Sequence, residues 1–318
     1  GGGGGGGRTP QAVSMIGWAC ATLGVPECDA FFHFVMRPEV RAWLLREGNP
    51  RVWVNLLWAT MLKKDGIITH RAAFSELWER ALCKYTPSDW SRESLQQVGN
   101  VQLAAPILWG GRVGSDLTPL PDALQSAVNA TMSGVDASAQ TEFEEEWNEI
   151  VGHEAEGFAQ EVQAFDALGK GSVFLAIDIA NVDEKVAIEL DGPTHFLWHT
   201  EERLGRGQFN VSRRANGKTA FKRRLLQAAG WTVVNISFHD NRVLDVTARK
   251  LRKEVGAVKG AFLRETLKRE GLERLLRAPS LGGGLDPSLV ERLLIAPSKA
   301  PSKPALPPSS SKMTGPLL

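Results

Sequence analysis

The sequence predicts an α-helical region, then a small α/β domain, then a disordered tail. Apolar residues recur at helical spacing through the first part of the chain. Between residues 174 and 238 the pattern changes to β, β, α, β. Beyond Pro279, Gly, Pro, Ser and Lys dominate, a composition that cannot bury a core.

At 318 residues the chain has room for two domains, and a 43% hydrophobic fraction is that of a globular protein. No run approaches the roughly 18–20 apolar residues of a membrane helix, so no membrane partner is expected. The net charge is only +1, but the charges are segregated. Residues 136–166 carry ten acids and no Lys or Arg, whereas residues 201–260 carry fourteen Lys/Arg against five Asp/Glu. A basic block of this kind is either an electrostatic footprint for nucleic acid or a solvated helix surface. Cys20, Cys28 and Cys83 lack Cys-x-x-Cys spacing and read as small core residues, not as a disulfide or zinc framework.

In chain order, residues 1–10 form a flexible Gly-rich lead. Residues 11–85 are helical, with Val13, Ile16, Gly17 and Cys20 on one face and Val54, Leu57, Trp58 and Met61 on another. Ile16-Gly-Trp-Ala-Cys and Leu56-Leu-Trp-Ala-Thr align at an offset of 40 residues, from Trp18 to Trp58. That period suits an α-solenoid, with an ordinary helical bundle as the alternative and a degraded third copy near residues 95–105. Residues 86–140 read as a linker with short helices, because Pro87, Pro106, Pro119 and Pro121 fall among Gly and Ser. An acidic helical segment follows at 141–170, then the α/β domain at 171–250, a basic helix at 251–278 and the tail at 279–318.

Within the α/β domain two apolar runs carry carboxylates, separated by the turn-forming residues 181–184. Closing a hairpin there with Ala180 opposite Lys185 places Asp178 opposite Ala187. Alternation then sets Ala187, Glu189 and Asp191 on the face that holds Asp178. Glu189 becomes its diagonal neighbour, about 7–8 Å away. Acids on one sheet face repel unless a cation lies among them. Mg²⁺ is one candidate, with Asp178 and Glu189 as ligands. Lys218 or Lys222 of the following helix is the other, so that the acids would simply form ion pairs. Arg213, Arg214, Lys218, Lys222, Arg223 and Arg224 form a phosphate-attracting set, and Trp198, Phe209 and Trp231 offer rings for stacking bases, with Trp231 also placed as core. His195 and His199 read as packed or capping residues. No P-loop, Gly-x-Gly-x-x-Gly, Gly-x-Ser-x-Gly or His-Glu-x-x-His pattern occurs, which argues against nucleotide-cofactor, serine-hydrolase and zinc-protease chemistry.

Three ordered blocks now carry a resemblance. They are Val-Ala-Ile-Glu-Leu-Asp-Gly-Pro-Thr-His-Phe (186–196), Asn-Gly-Lys-Thr-Ala-Phe-Lys-Arg-Arg-Leu-Leu (216–226) and Gly-Trp-Thr-Val-Val-Asn-Ile (230–236). The stretch resembles the RAP domain of organellar RNA-metabolism proteins, and the helices before it resemble the repeats of octatricopeptide-repeat and FAST-kinase-like proteins. The resemblance implies a restriction-endonuclease-like mixed sheet of the PD-(D/E)XK type, mitochondrial or chloroplast location, RNA as partner and other organellar RNA-processing proteins as further partners. It would make Asp178 and Glu189 the first and second acids. Asp191 stands where the usual lysine belongs, Ile177 where a proline precedes the first acid, and Lys222 is the substitute from the helix. The implied function is RNA binding in processing, stability or ribosomal-RNA maturation, with Arg213, Arg214, Lys218, Arg223, Arg224 and Trp198 as contacts and no cofactor. The alternatives are a Mg²⁺-dependent RNA endonuclease using Asp178, Glu189, Asp191 and Lys222, and a protein-binding scaffold using the acidic stretch.

Overall fold

The chain was described from a computed structural model, which covers residues 9–24, 28–63, 65–110, 117–132, 141–163, 176–200 and 209–278. The Gly-rich lead before Thr9, the tail 279–318 and parts of the acidic and basic stretches lie outside these residues.

Three helices start in the same way. Helix α1 (Pro10–Leu23) is capped by Thr9, whose hydroxyl accepts the Ala12 N–H at 3.2 Å. Helix α4 (Pro50–Leu62) is capped by Asn49 through the Val52 N–H at 3.1 Å, and α7 (Arg92–Leu108) by Ser91 through the Ser94 N–H at 3.2 Å. Each side chain satisfies one orphan donor of the first turn, and proline at the first helical position of α1 and α4 removes another. The starts are spaced 40 and 42 residues apart, from Pro10 to Pro50 and from Pro50 to Arg92. Helix α1 packs on α4 and α4 on α7. Behind this row, α2 (Asp29–Val35), α3 (Pro38–Glu47), α5 (Gly66–Thr69) and α6 (Arg71–Lys84) connect them, with α3 against α6, and α8 (Asp122–Met132) closes the row on α7. Helix α4 is buried at every residue except Arg51 and Asn55, as its nearly continuous apolar sequence requires.

This corrects two expectations. Residues 86–140 are not a linker: α7 has seventeen residues and supplies Val98, Val101 and Ala105 to the main core. Its proline, Pro106, falls near the C-terminal end of the helix, where it could not prevent helix formation upstream. The cysteine reading also fails. Cys20 and Cys28 form a disulfide, with their Cα atoms 5.9 Å apart, and Cys83 is exposed.

The second half is a four-stranded mixed sheet in the order β1-β2-β3-β6. Its strands are β1 (Ala159–Gln163), β2 (Ala176–Asn181), β3 (Val186–Asp191) and β6 (Thr232–Ser237). Only the β3–β6 pair is parallel. Between β3 and β6 the chain makes the hairpin β4 (Phe196–Thr200) and β5 (Phe209–Ala215), then α10 (Gly217–Ala228). Asn216 caps α10, and Gly230, at φ +86°, ends it in a conformation that glycine adopts without steric cost. Helices α9 (Glu142–Glu154), α11 (Phe238–Leu251) and α12 (Val255–Arg269) cover the other sheet face. The expected acidic helix therefore ends at Glu154 and gives way to β1, and the basic region is two helices broken at Arg252. Among the described residues no helix is long and apolar enough to cross a membrane.

The sheet divides two cores. Ala187 joins Phe221, Leu225, Leu226 and Trp231 in the core shared with the first half, while Ile188, Leu190, Val234 and Ile236 pack with α9, α11 and α12. The joint between the halves is α10, which touches α1, α4 and α7. Phe221 meets the Trp58 ring edge-on at 5.2 Å, and a Cβ on Gly217 would lie 2.0 Å from the Ala21 carbonyl oxygen. Only glycine permits this approach.

Candidate functional site

The β2–β3 hairpin differs by two residues from the expected register. Ala180 pairs with Ala187 and Asn181 with Val186. The Asn181 side chain accepts the Glu184 N–H at 3.0 Å, and Lys185 takes φ +49°, which removes it from the ladder. Continuing the register places Asp178 opposite Glu189. Because the shift is even, the acids keep their common face.

That face lies under α10. Lys222 Nζ bonds Glu189 Oε2 at 2.5 Å, with the Glu189 side chain 4% exposed. Burial pushes the Glu189 carboxyl up to about 7, against the attraction of Lys222 and aided by repulsion from Asp178. Burial also raises Asp178, although Lys222 and the Leu190 N–H, donated to Oδ2 at 2.6 Å, oppose it. Burial disfavours the Lys222 charge, but Glu189 and Asp178 hold its pKa above the usual value. Asp191 is different. Burial pushes it up, yet His195 and Arg223 hold it below the usual carboxylate range. Its Oδ1 meets His195 Nδ1 at 2.8 Å, and its Oδ2 accepts from Arg223 and from the Asn235 amide at 3.1 Å. Both Asp191 oxygens are thus engaged, and the His195 side chain that meets one of them is 39% exposed. Glu189 Oε1 is buried without a hydrogen-bond partner, as is Arg223 Nε. Among the described residues no three His, Cys, Asp or Glu side chains converge as a metal site.

The predicted basic set does not form one open face. Arg214 donates to the Gly24 carbonyl at the end of α1. Lys218 lies 5.8 Å from the Trp18 ring centroid. Arg224 donates to the Met61 and Leu62 carbonyls at 3.3 and 2.7 Å, at the negative end of α4. Lys222 and Arg223 face the acids, and of the set Arg213, Arg214 and Lys218 are exposed. Trp231 is core at 8% exposure. Trp198 and Phe209 lie on β4 and β5, but their side chains fall outside the described residues. Exposed cations cluster instead at the end of α11, in Arg249, Lys250, Arg252 and Lys253.

The first half contributes a groove of about 820 Å³ that sequence reasoning missed. Its walls include Met15 of α1, Asn55 of α4 and Gln97 of α7, spaced by the 40 and 42 residues that separate the helix starts. Gln11, Arg51 and Glu93, one turn earlier, repeat the spacing. Trp18 closes the end nearest α10. The repeated cap and helix start was the signal that would have placed these residues; the Trp-Ala match alone did not.

Two comparisons bear on identity. A family model described as the RAP domain matches residues 188–253. A rice protein (Oryza sativa subsp. japonica) named as a RAP domain-containing protein, chloroplastic, is 41% identical over 64 residues. The match spans 20% of this chain and only 8% of the rice protein. With the end of β3, the β4–β5 hairpin, α10, β6 and α11 inside the matched segment, the chain carries a RAP domain at residues 188–253.

Proposed function

We propose that this is an organellar RNA-binding protein acting in RNA processing, stability or ribosomal-RNA maturation, in which the helical half holds unpaired RNA and the RAP domain is fixed on that half through α10. The observation that carries the reading is the groove lined by one equivalent side chain from each of α1, α4 and α7. Amides such as Asn55 and Gln97 can both donate to and accept from a base edge, and Trp18 offers a ring for stacking. The RAP domain supports RNA as the ligand class, and the chloroplastic designation of the rice relative favours the chloroplast over the mitochondrion. Other organellar RNA-processing proteins as partners belong to the same proposal.

Charge reversal at Arg214, Arg223 or Arg224 would disturb contacts within the protein as well as any RNA contact, so the groove supplies the cleaner test. Fluorescence anisotropy with single-stranded and duplex RNA should show preference for the single strand. Asn55→Ala with Gln97→Ala should weaken binding about tenfold or more, the equivalent of one lost stacked or hydrogen-bonded base. Negligible RNA affinity at physiological salt would overturn the reading in favour of a protein-binding scaffold.

A second reading, a Mg²⁺-dependent endonuclease with a PD-(D/E)XK-like fold, is favoured by the unpartnered Glu189 Oε1 beside Asp178 and Lys222. The acids fit such an ion in part: Glu189 retains a free oxygen, whereas both Asp191 oxygens are engaged. Asp178 and Glu189 would hold the ion, which would supply Lewis-acid activation of water. Lys222 is the lysine drawn from the helix. Mg²⁺-dependent cleavage abolished by Glu189→Gln, with RNA binding retained, is the expected result. Cleavage surviving in both Glu189→Gln and Asp178→Asn would remove this reading.

A further inference from the structure

Three contacts that seat the RAP domain on the helical half fall at the C-terminal ends of α1 and α4. Arg214, near the end of β5, donates to the Gly24 carbonyl. Gly217 opens α10 against the Ala21 carbonyl, and Arg224 donates to the carbonyls of Met61 and Leu62. The Cys20–Cys28 disulfide lies between the same two ends. Cys20 is in the last turn of α1, where its carbonyl and that of Ala21 accept the Gly24 N–H. Cys28, eight positions on, stands at the N-cap of α2. The next residue, Asp29, pairs at 3.0 Å with Lys63, which directly follows Met61 and Leu62. The Asp29 side chain is 60% exposed, so this ion pair holds α2 only weakly. The disulfide is the firmer constraint, because it restricts the chain covalently. Both cysteines are half-buried, so a small dithiol can reach the bond.

We propose that the Cys20–Cys28 disulfide is a redox-sensitive latch on the joint between the helical half and the RAP domain. Oxidised, it fixes the Ala21 and Gly24 carbonyls where Gly217 and Arg214 meet them. Reduced, it frees the end of α1 and loosens the seat of α10. A dithiol reductant supplies the step. One of its thiolates attacks a sulfur of the bond and forms a mixed disulfide, which its second thiolate then resolves. The reductant ends as a disulfide, and its two electrons and two protons end on Cys20 and Cys28 as thiols. The proposal goes beyond RNA binding and is tested without RNA.

The test follows amide exchange of the full chain carrying Cys83→Ala, which leaves only the two paired cysteines. After oxidation with glutathione disulfide, mass spectrometry should find neither free thiol nor adduct. Dithiothreitol should then release two thiols. Exchange over residues 20–24 and 214–224 should speed up about tenfold or more, with α11 and α12 unchanged. Reoxidation should restore the protection, and Cys20→Ser with Cys28→Ser should exchange at the reduced rate in both conditions. Free thiols or adducts after oxidation would overturn the proposal, as would equal exchange at α10 in the two states. Acceleration that extends through α11 and α12 would also overturn it, because the bond would then be a staple of the whole fold. So would a dithiothreitol response that persists in the double serine variant.

Discussion

The cluster under α10 and the groove across α1, α4 and α7 are both polar, and they differ in how many of their atoms are already bonded. Under α10, Lys222 and Arg223 each face a nearly buried carboxylate, and Asp191 makes contacts with His195, Arg223 and Asn235. In the groove, Met15 is 57% exposed and Trp18 37% exposed, and the flanking amides come from successive helices. The charged cluster ties α10 to the RAP sheet, while the groove leaves Met15 and Trp18 exposed. Charge density in a sequence therefore marks where ions must be compensated as readily as where phosphates are bound.

Removing one partner from the cluster separates the two regions most sharply. Lys222→Met leaves Glu189 buried without its cation, and stability measured by urea unfolding should fall by about 3–5 kcal/mol. Asn55→Ala in the groove should change it by about 0.5 kcal/mol or less. Equal effects would break the distinction. Gly217→Val comes next, because a side chain there collides with the Ala21 carbonyl. A cost of about 1–3 kcal/mol is expected, with faster amide exchange at the end of α1. Normal exchange there would mean that α10 is not seated on α1.

The pH dependence tests the cluster more gently. Glu189 titrates near 7 when folded, above its ordinary 4.5, so the folded state retains a proton that the unfolded state releases. Its contribution to stability is fully present below about pH 4.5 and is lost as pH rises through about 7. Asp191, held low, acts in the opposite direction and loses its contribution only as the medium becomes strongly acidic. Glu189→Gln should flatten the decline in unfolding free energy from about pH 5 to about pH 7. A decline of the same size in the variant would assign the slope to other groups.

Much of this was legible in residue order. Strands β2, β3 and β6, helix α10, the cap at Gly230 and the shared face of Asp178, Glu189 and Asp191 follow from apolar periodicity and from the period-two alternation of strands, whereas the β4–β5 hairpin between β3 and α10 is absent from the expected β, β, α, β pattern. The RAP domain was legible from three ordered blocks. Strand β1 was not, because Ala159–Gln163 is an edge strand with a mostly exposed, polar sequence. The two-residue register difference was invisible for a similar reason: whether Lys185 turns or pairs depends on its positive φ, which composition does not specify. The destinations of Arg214 and Arg224 could not be read at all. Their acceptors are helix-end carbonyls 190 and about 160 residues away in sequence, created only when the two halves come together.

The claim that the helical row holds the RNA is tested most directly by photo-crosslinking single-stranded RNA containing 4-thiouridine to the full chain and mapping the adducts. Adducts should fall on Met15, Trp18, Asn55 and Gln97, and unlabelled single-stranded RNA should compete them away. Adducts confined to α11 and α12, around Arg249, Lys250, Arg252 and Lys253, with none on α1, α4 or α7, would contradict it.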